Sequence, residues 1–77
     1  MKIHVYAGLK EFFSPEFELP DDMLDIDQLR SCLLGMNGQA AKLLAACRFA
    51  VEEGFIDNTY RFKAHQTVIV VPPSSGG

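Results

Sequence analysis

The feature that most constrains the fold is a run of β-branched residues near the end of the chain, Thr67-Val68-Ile69-Val70-Val71. β-Branched side chains favour strands, and a run without polar interruption is typical of a central strand covered on both faces, at least in an assembly. Pro72 and Pro73 follow at once, and because proline has no N–H, the ladder of hydrogen bonds must end there. The run therefore predicts a sheet whose last strand lies inside it.

Shorter segments supply the remaining strands. Apolar and polar residues alternate over 2–7 and again over 16–19, which predicts a strand in each segment. Residues 47–51 and 55–56 are predicted as two further strands, joined by a tight turn in which Gly54 is free to take a positive φ. Together with the final run, these segments predict a small sheet.

A helix is predicted to begin at Asp25, because Asp25 and Gln28 have the spacing of a capping box, in which side chains accept otherwise unpaired backbone hydrogen bonds. Its apolar stripe has helical spacing and comprises Ile26, Leu29, Leu33 and Met36. Gly35 and Asn37-Gly38 are expected to end the helix. Residues 39–46 are rich in Ala and Leu, which leaves either a short second helix or a partly irregular segment.

The order strand, strand, helix, strand, short strand, strand predicts an α+β fold. A hairpin, a crossing helix and a further hairpin give a mixed sheet with one main helix packed on one face. The first and last strands are expected to pair in parallel at its centre, which is the β-grasp, or ubiquitin-like, roll. Residues 1–71 are expected to form this domain and residues 72–77 an extended, flexible C-terminal tail.

Composition argues against several functions. The 77 residues allow one small core and no deep enclosed active site. The formal net charge is −3 and the seven basic residues are scattered, which argues against nucleic-acid binding. No stretch approaches the ~20 apolar residues of a membrane span. The start of the chain is too short and polar for a signal peptide, so the protein is expected to be cytoplasmic.

Metal and cofactor chemistry are disfavoured by residue spacing. The two cysteines and two histidines show none of the short spacings of metal ligands, so no metal site is predicted. Cys32 and Cys47 lie in apolar contexts and are expected to be buried free thiols. Gly35-Met36-Asn37-Gly38 lacks the lysine and the preceding strand of a phosphate loop. Any ATP is therefore expected to be bound by a partner and not by this chain.

The end of the sequence, Ser74-Ser75-Gly76-Gly77, carries the strongest functional signal. The two prolines before it hold the segment extended and away from the body. Gly76 and Gly77 have no Cβ, so the segment can thread a narrow channel in a partner enzyme. A terminal carboxylate at Gly77 is unhindered and can attack the α-phosphate of ATP to give an acyl-adenylate. A sulfur nucleophile that displaces AMP then leaves a C-terminal thiocarboxylate, which is a protein-held sulfide donor.

The alternation also predicts an apolar surface on the face of the sheet opposite the helix. Tyr6 in the first strand and Ile69 and Val71 in the last point away from the helix if their neighbours face it. Phe55 is expected to lie near them. We predict a partner-docking surface at the root of the tail, formed by Tyr6, Phe55, Ile69, Val71, Pro72 and Pro73. The alternative is an ordinary sheet surface covered by a loop of the same chain.

The segment from Val68 to Gly77 resembles the ending of the molybdopterin-synthase small-subunit family, which has an apolar strand, Pro-Pro, two residues of which the second is often Ser or Thr, and Gly-Gly. Residues 5–11, 25–30 and 43–51 also resemble that family, so the likeness spans nearly the whole chain. One departure is Ala64-His65-Gln66-Thr67, where the family often has Asp-Gly-Asp-Glu. A second lies in residues 51–54, where the family often has Asn and other polar residues.

The resemblance implies a sulfur carrier for molybdenum cofactor biosynthesis. A ubiquitin-activating-like adenylyltransferase would adenylate Gly77 with ATP, and sulfur transfer would make the thiocarboxylate. The carrier would then insert its tail into the molybdopterin synthase large subunit, whose side chains catalyse sulfur transfer to cyclic pyranopterin monophosphate. On this interpretation Gly77 supplies the reacting atom, Gly76 gives access, and the chain is a subunit without the catalytic core.

Three other interpretations stay open. A sulfur carrier for thiazole formation or tRNA thiolation would use the same Gly-Gly chemistry, although the Pro-Pro-x-Ser before the glycines favours molybdopterin. A ubiquitin-like modifier would instead form isopeptide bonds with lysines on other proteins. A binding module with an idle tail is the simplest alternative.

Overall fold

The computed structural model describes residues 1–73, which form an α+β domain with a five-stranded mixed sheet and two α-helices. The strands are β1 (Lys2–Val5), β2 (Glu16–Glu18), β3 (Arg48–Val51), β4 (Gly54–Ile56) and β5 (Thr67–Val71). The helices are α1 (Ile26–Met36) and α2 (Ala41–Ala46), and short 3-10 turns cover Ala7–Glu11 and Gly38–Ala40. None of the helices in this part of the chain has the length and apolar character needed to cross a lipid bilayer.

The sheet has the strand order β2-β1-β5-β3-β4, so the last strand of the sequence lies at its centre. β5 runs parallel to β1 and antiparallel to β3, with Val70 opposite Val5 on one side and Phe49 on the other. β2 and β4 are edge strands that pair antiparallel with β1 and β3. The predicted parallel pairing of the first and last strands is confirmed.

The helices cover one face of the sheet and enclose the core there. The fully buried side chains include Ile3, Val5, Leu29, Leu33, Leu44, Phe49, Val68 and Val70. Burial of each such side chain contributes roughly 1.5–3 kcal/mol. Along β5 only every second residue belongs to this core, because Ile69 and Val71 are half-buried. Within the single chain, therefore, β5 is covered fully on the helix side alone.

The start of α1 agrees with the predicted capping box, with one change of partner. The Oδ1 of Asp25 accepts a hydrogen bond from the N–H of Gln28 at 3.0 Å. The Oε1 of Gln28 accepts one from the N–H of Leu24 at 2.8 Å, one residue before the cap. Two backbone donors that the helix cannot satisfy are thus paired, and a cap of this kind stabilises a helix by about 1 kcal/mol.

The structure corrects or completes the predicted elements at three places. β1 ends at Val5 and not at Ala7, because Ala7 has a φ of 51°, outside the range of strand residues. Met36 was expected in the apolar stripe of α1 but is 51 % exposed, at the last position of that helix. Residues 38–46 form a 3-10 turn followed by α2, which decides between the two alternatives for this segment.

Candidate functional site

The face of the sheet that the helices leave uncovered, here called the open face, carries the predicted apolar side chains. One row across four strands consists of His4, Ile69, Ala50 and Phe55. In the next row, Val71 is paired with Arg48. Tyr6 is 47 % exposed and Phe55 is 56 % exposed, whereas Ile69 and Val71 are half-buried. Strand alternation places Phe55, Ile69 and Val71 outside the core, and Tyr6, one residue beyond β1, lies outside it as well.

An apolar groove of about 350 Å³ lies where β5 ends, and we call it the tail-root groove. Its lining comes from three segments, namely Tyr6-Ala7-Gly8 after β1, Leu43 in α2, and Val71-Pro72-Pro73 at the end of β5. The left-handed backbone of Ala7 turns the chain out of β1 at this point. A Cβ added to Gly8 would lie 3.5 Å from the Cδ2 of Leu43, so the turn and α2 approach closely. The fold thus builds a concave apolar surface around the two prolines.

Phe55 does not belong to the tail-root groove, which corrects the prediction that it lies beside Tyr6 and Val71. It lines a separate cavity of about 380 Å³ at the hairpin of β3 and β4. The Arg48 guanidinium lies 3.8 Å from the centroid of the Phe55 ring, and Arg48 is also the residue opposite Val71. An arginine therefore stands between the two apolar parts of the open face.

Lys2 and Glu16 form an ion pair at one edge of the open face. At β2, Glu16 lies 3.2 Å from the Nζ of Lys2 and 3.8 Å from the Nε2 of His4. Exposed pairs of this kind contribute at most about 1 kcal/mol. Arg48, by contrast, has no carboxylate within ion-pair distance in the described residues. The open face consequently presents one arginine without an ion-pair partner next to its apolar side chains.

A second arginine, the half-buried Arg30 in α1, holds α2 in place. Its Nε donates to the carbonyl of Leu44 at 3.0 Å and its Nη2 donates to that of Cys47 at 3.3 Å, both at the C-terminal end of α2. Its Cζ lies 5.1 Å from the centroid of the Phe49 ring. Because Leu43 of α2 lines the tail-root groove, Arg30 supports one wall of that groove. Sequence analysis missed this residue, since its acceptors lie 14 and 17 positions further along.

The cysteines and histidines are not assembled into a site. Cys47 is buried, and this burial raises the pKa of its thiol, which donates to the carbonyl of Leu43 at 3.1 Å. Cys32 was expected to be buried but is only half-buried on α1. Across residues 1–73, no three His, Cys, Asp or Glu side chains are grouped closely enough to hold a metal ion.

Of the remaining predicted site residues, Pro72 is half-buried and Pro73 exposed, and both line the tail-root groove. Gly76 and Gly77 lie outside the described residues.

No family model matches the sequence of this chain, and no curated protein matches it either. The described residues form a small α+β domain in which β5, the central strand of the sheet, ends beside an apolar groove.

Proposed function

We propose that this chain is a sulfur carrier of the molybdopterin-synthase small-subunit type, with a β-grasp fold, and that Gly77 carries the sulfur as a C-terminal thiocarboxylate. The observation that carries the proposal is the position of β5. It is the central strand, it ends at an apolar groove, and it continues in sequence through Pro72-Pro73 to Ser-Ser-Gly-Gly. The strand order, with β1 and β5 parallel, is also the order that a β-grasp roll requires.

The proposed chemistry takes place in two steps at the Gly77 carboxylate. A carboxylate oxygen attacks the α-phosphorus of ATP held by the adenylyltransferase, pyrophosphate leaves, and an acyl-adenylate forms. Hydrosulfide then attacks the acyl carbon, AMP leaves with the former carboxylate oxygen, and the thiocarboxylate remains. Activation of the acyl group makes this substitution feasible, as in other covalent catalysis. At the large subunit of molybdopterin synthase, the thiocarboxylate sulfur displaces an oxygen leaving group from a pterin carbon. Water then hydrolyses the resulting thioester, which leaves the sulfur on the pterin for the dithiolene and regenerates the Gly77 carboxylate.

In this proposal the partners dock on the open face and in the tail-root groove. Both surfaces adjoin the prolines from which the segment must reach a partner's active site. Tyr6 and Val71 are apolar and stand outside the core, and covering each side chain contributes up to about 1.5–3 kcal/mol. Because the groove is made by the turn after β1, by α2 and by the end of β5 together, docking there would orient the whole domain and with it the acyl group.

The test is the intact mass of the protein after incubation with ATP, sodium sulfide and an extract of the cells that express it. Wild type is expected to gain the mass difference between one sulfur and one oxygen atom. A variant that lacks Gly77 should gain nothing and keep its melting temperature, and Gly76→Val should fail because its side chain obstructs the channel. Ser74→Ala, a matched change outside the glycine pair, should load like wild type.

Each other result has a defined meaning. Sulfur loading of the variant without Gly77 would contradict the mechanism. Covalent ladders on other proteins would indicate a ubiquitin-like modifier. Delivery of the sulfur to thiazole or tRNA, with none to the pterin, would keep the carrier chemistry and replace the pathway.

A further inference from the structure

We infer that the activating partner presents a carboxylate to Arg48, so that charge pairing at the centre of the open face, and not apolar contact alone, selects this partner. The inference rests on the proposed function, because it takes the adenylating enzyme as the protein that covers this face. It defines the chemistry of the partner surface: an Asp or Glu side chain beside an apolar side chain that enters the tail-root groove.

The geometry of Arg48 is suited to this pairing. The residue is exposed on β3 and its guanidinium lies 3.8 Å from the centroid of the Phe55 ring. Stacking occupies a flat face of the guanidinium and restricts its motion, while the N–H groups in its plane stay available. A planar fork of donors matches the two oxygens of a carboxylate, which gives a short and directional pair.

A partner that covers the apolar residues must also supply a counter-charge for Arg48. Arg48 is directly opposite Val71 in the sheet and its guanidinium lies over Phe55, so a surface that covers both Val71 and Phe55 also removes Arg48 from water. An arginine that loses its water without gaining a counter-charge destabilises a complex by more than a few apolar contacts return. A carboxylate on the partner converts this loss into a favourable pair.

The domain does not supply the counter-charge itself in the part that the structure describes. Glu16 is engaged by Lys2 and His4 on β2 and β1. β2 is the far edge of the sheet, separated from β3 by β1 and β5. No other carboxylate of residues 1–73 comes within ion-pair distance of Arg48.

The experiment compares initial rates of sulfur loading in the ATP, sodium sulfide and extract assay for variants of residue 48. We expect wild type to load fastest and Arg48→Lys, which keeps the charge but loses the fork, to load a few-fold more slowly. Arg48→Gln should fall by about tenfold or more, and Arg48→Glu further still, because it places like charges together. Arg61→Glu makes the same charge change at an exposed arginine that lies against Asp25 at the start of α1, and it should load like wild type.

The outcomes separate this inference from the function on which it rests. Equal loading of wild type and Arg48→Glu would overturn the inference and leave the carrier function standing. Equal losses of loading rate in Arg48→Gln and Arg48→Glu would also overturn it, because the rate would then depend on the packing of the side chain and not on its charge. Absence of loading in wild type would overturn the proposed function and this inference with it. Melting curves of the exposed-site variants establish that each is folded.

Discussion

The two faces of the sheet are built from the same kinds of residue and differ in what covers them. On the helix side, Val70 is 0 % exposed and Phe49 is 1 % exposed. On the open side, Val71, which follows Val70 in β5, is half-buried, and Phe55 is 56 % exposed. Residue type therefore does not separate core from surface here, whereas position in the two-residue repeat of a strand does. The apolar residues of the open face lie outside the core, and our proposal assigns them to contacts with partners.

Each face also has an arginine against a phenylalanine, and the two arginines use their donors differently. Arg30 lies 5.1 Å from the centroid of Phe49 and donates to two backbone carbonyls at the end of α2. Arg48 lies closer to its ring, 3.8 Å from the centroid of Phe55, and forms no ion pair in the described residues. The first arginine contributes to the fold, and our proposal assigns the second to partner recognition.

The largest difference between the faces is expected for matched phenylalanine truncations. Phe49→Ala should lower the free energy of unfolding by about 3–5 kcal/mol, because it removes a fully buried ring and leaves a cavity. Phe55→Ala should lower it by ~1 kcal/mol or less, since the ring is largely exposed and loses mainly its stacking with Arg48. Urea denaturation measures both, and similar losses would contradict the division into a core face and an open face.

A glutamate placed at adjacent positions of β5 should have opposite consequences. Val71→Glu should stay folded and weaken docking by about 2 kcal/mol or more, a roughly thirtyfold loss in loading efficiency. Val70→Glu should unfold the domain, because it places a carboxylate in the core. Melting temperature and loading rate are measured together. If Val71→Glu is folded and loads sulfur at the normal rate, Val71 has no role in docking.

The arginine that supports α2 should matter more for stability than an exposed one. Arg30→Met should lower the free energy of unfolding by about 1.5–3 kcal/mol, because two hydrogen bonds from a charged donor are lost. Arg61→Met removes a pair with Asp25 at 3.3 Å whose arginine is mostly exposed, and its cost should be ~0.2–1 kcal/mol. Thermal denaturation compares the two, and an equal or smaller effect at Arg30 would argue against its structural role.

The smallest expected effect is a difference in thiol reactivity. Cys47 should react with iodoacetamide more slowly than Cys32 in the native protein, because its side chain is buried and this burial raises the pKa of its thiol. Peptide mapping after timed alkylation gives the two rates. In denaturant the rates should become similar, and a persistent difference there would show that the folded environment is not the cause.

Much of the fold is local and could be predicted from the sequence. The alternation in β5 and the cap at Asp25 depend on neighbours only a few positions away, so their signals are contained in short segments. The contacts of Arg30 depend on α2, which comes later in the chain, and no local pattern contains them. For the site, strand alternation predicts which side chains lie outside the core. It does not predict that Arg48 lies between Phe55 and Val71, because this depends on the register in which β3 pairs with β5.

The central claim is that Gly77 is the sulfur-bearing residue, and the most direct test is tandem mass spectrometry of the C-terminal peptide from protein isolated from its own cells. The account predicts a chain that ends at Gly77, with a fraction of the molecules carrying sulfur in place of one oxygen on that residue. An isopeptide bond from Gly77 to a lysine, residues beyond Gly77 in every copy, or a sulfur-free carboxylate in cells that are making the sulfur product would contradict it.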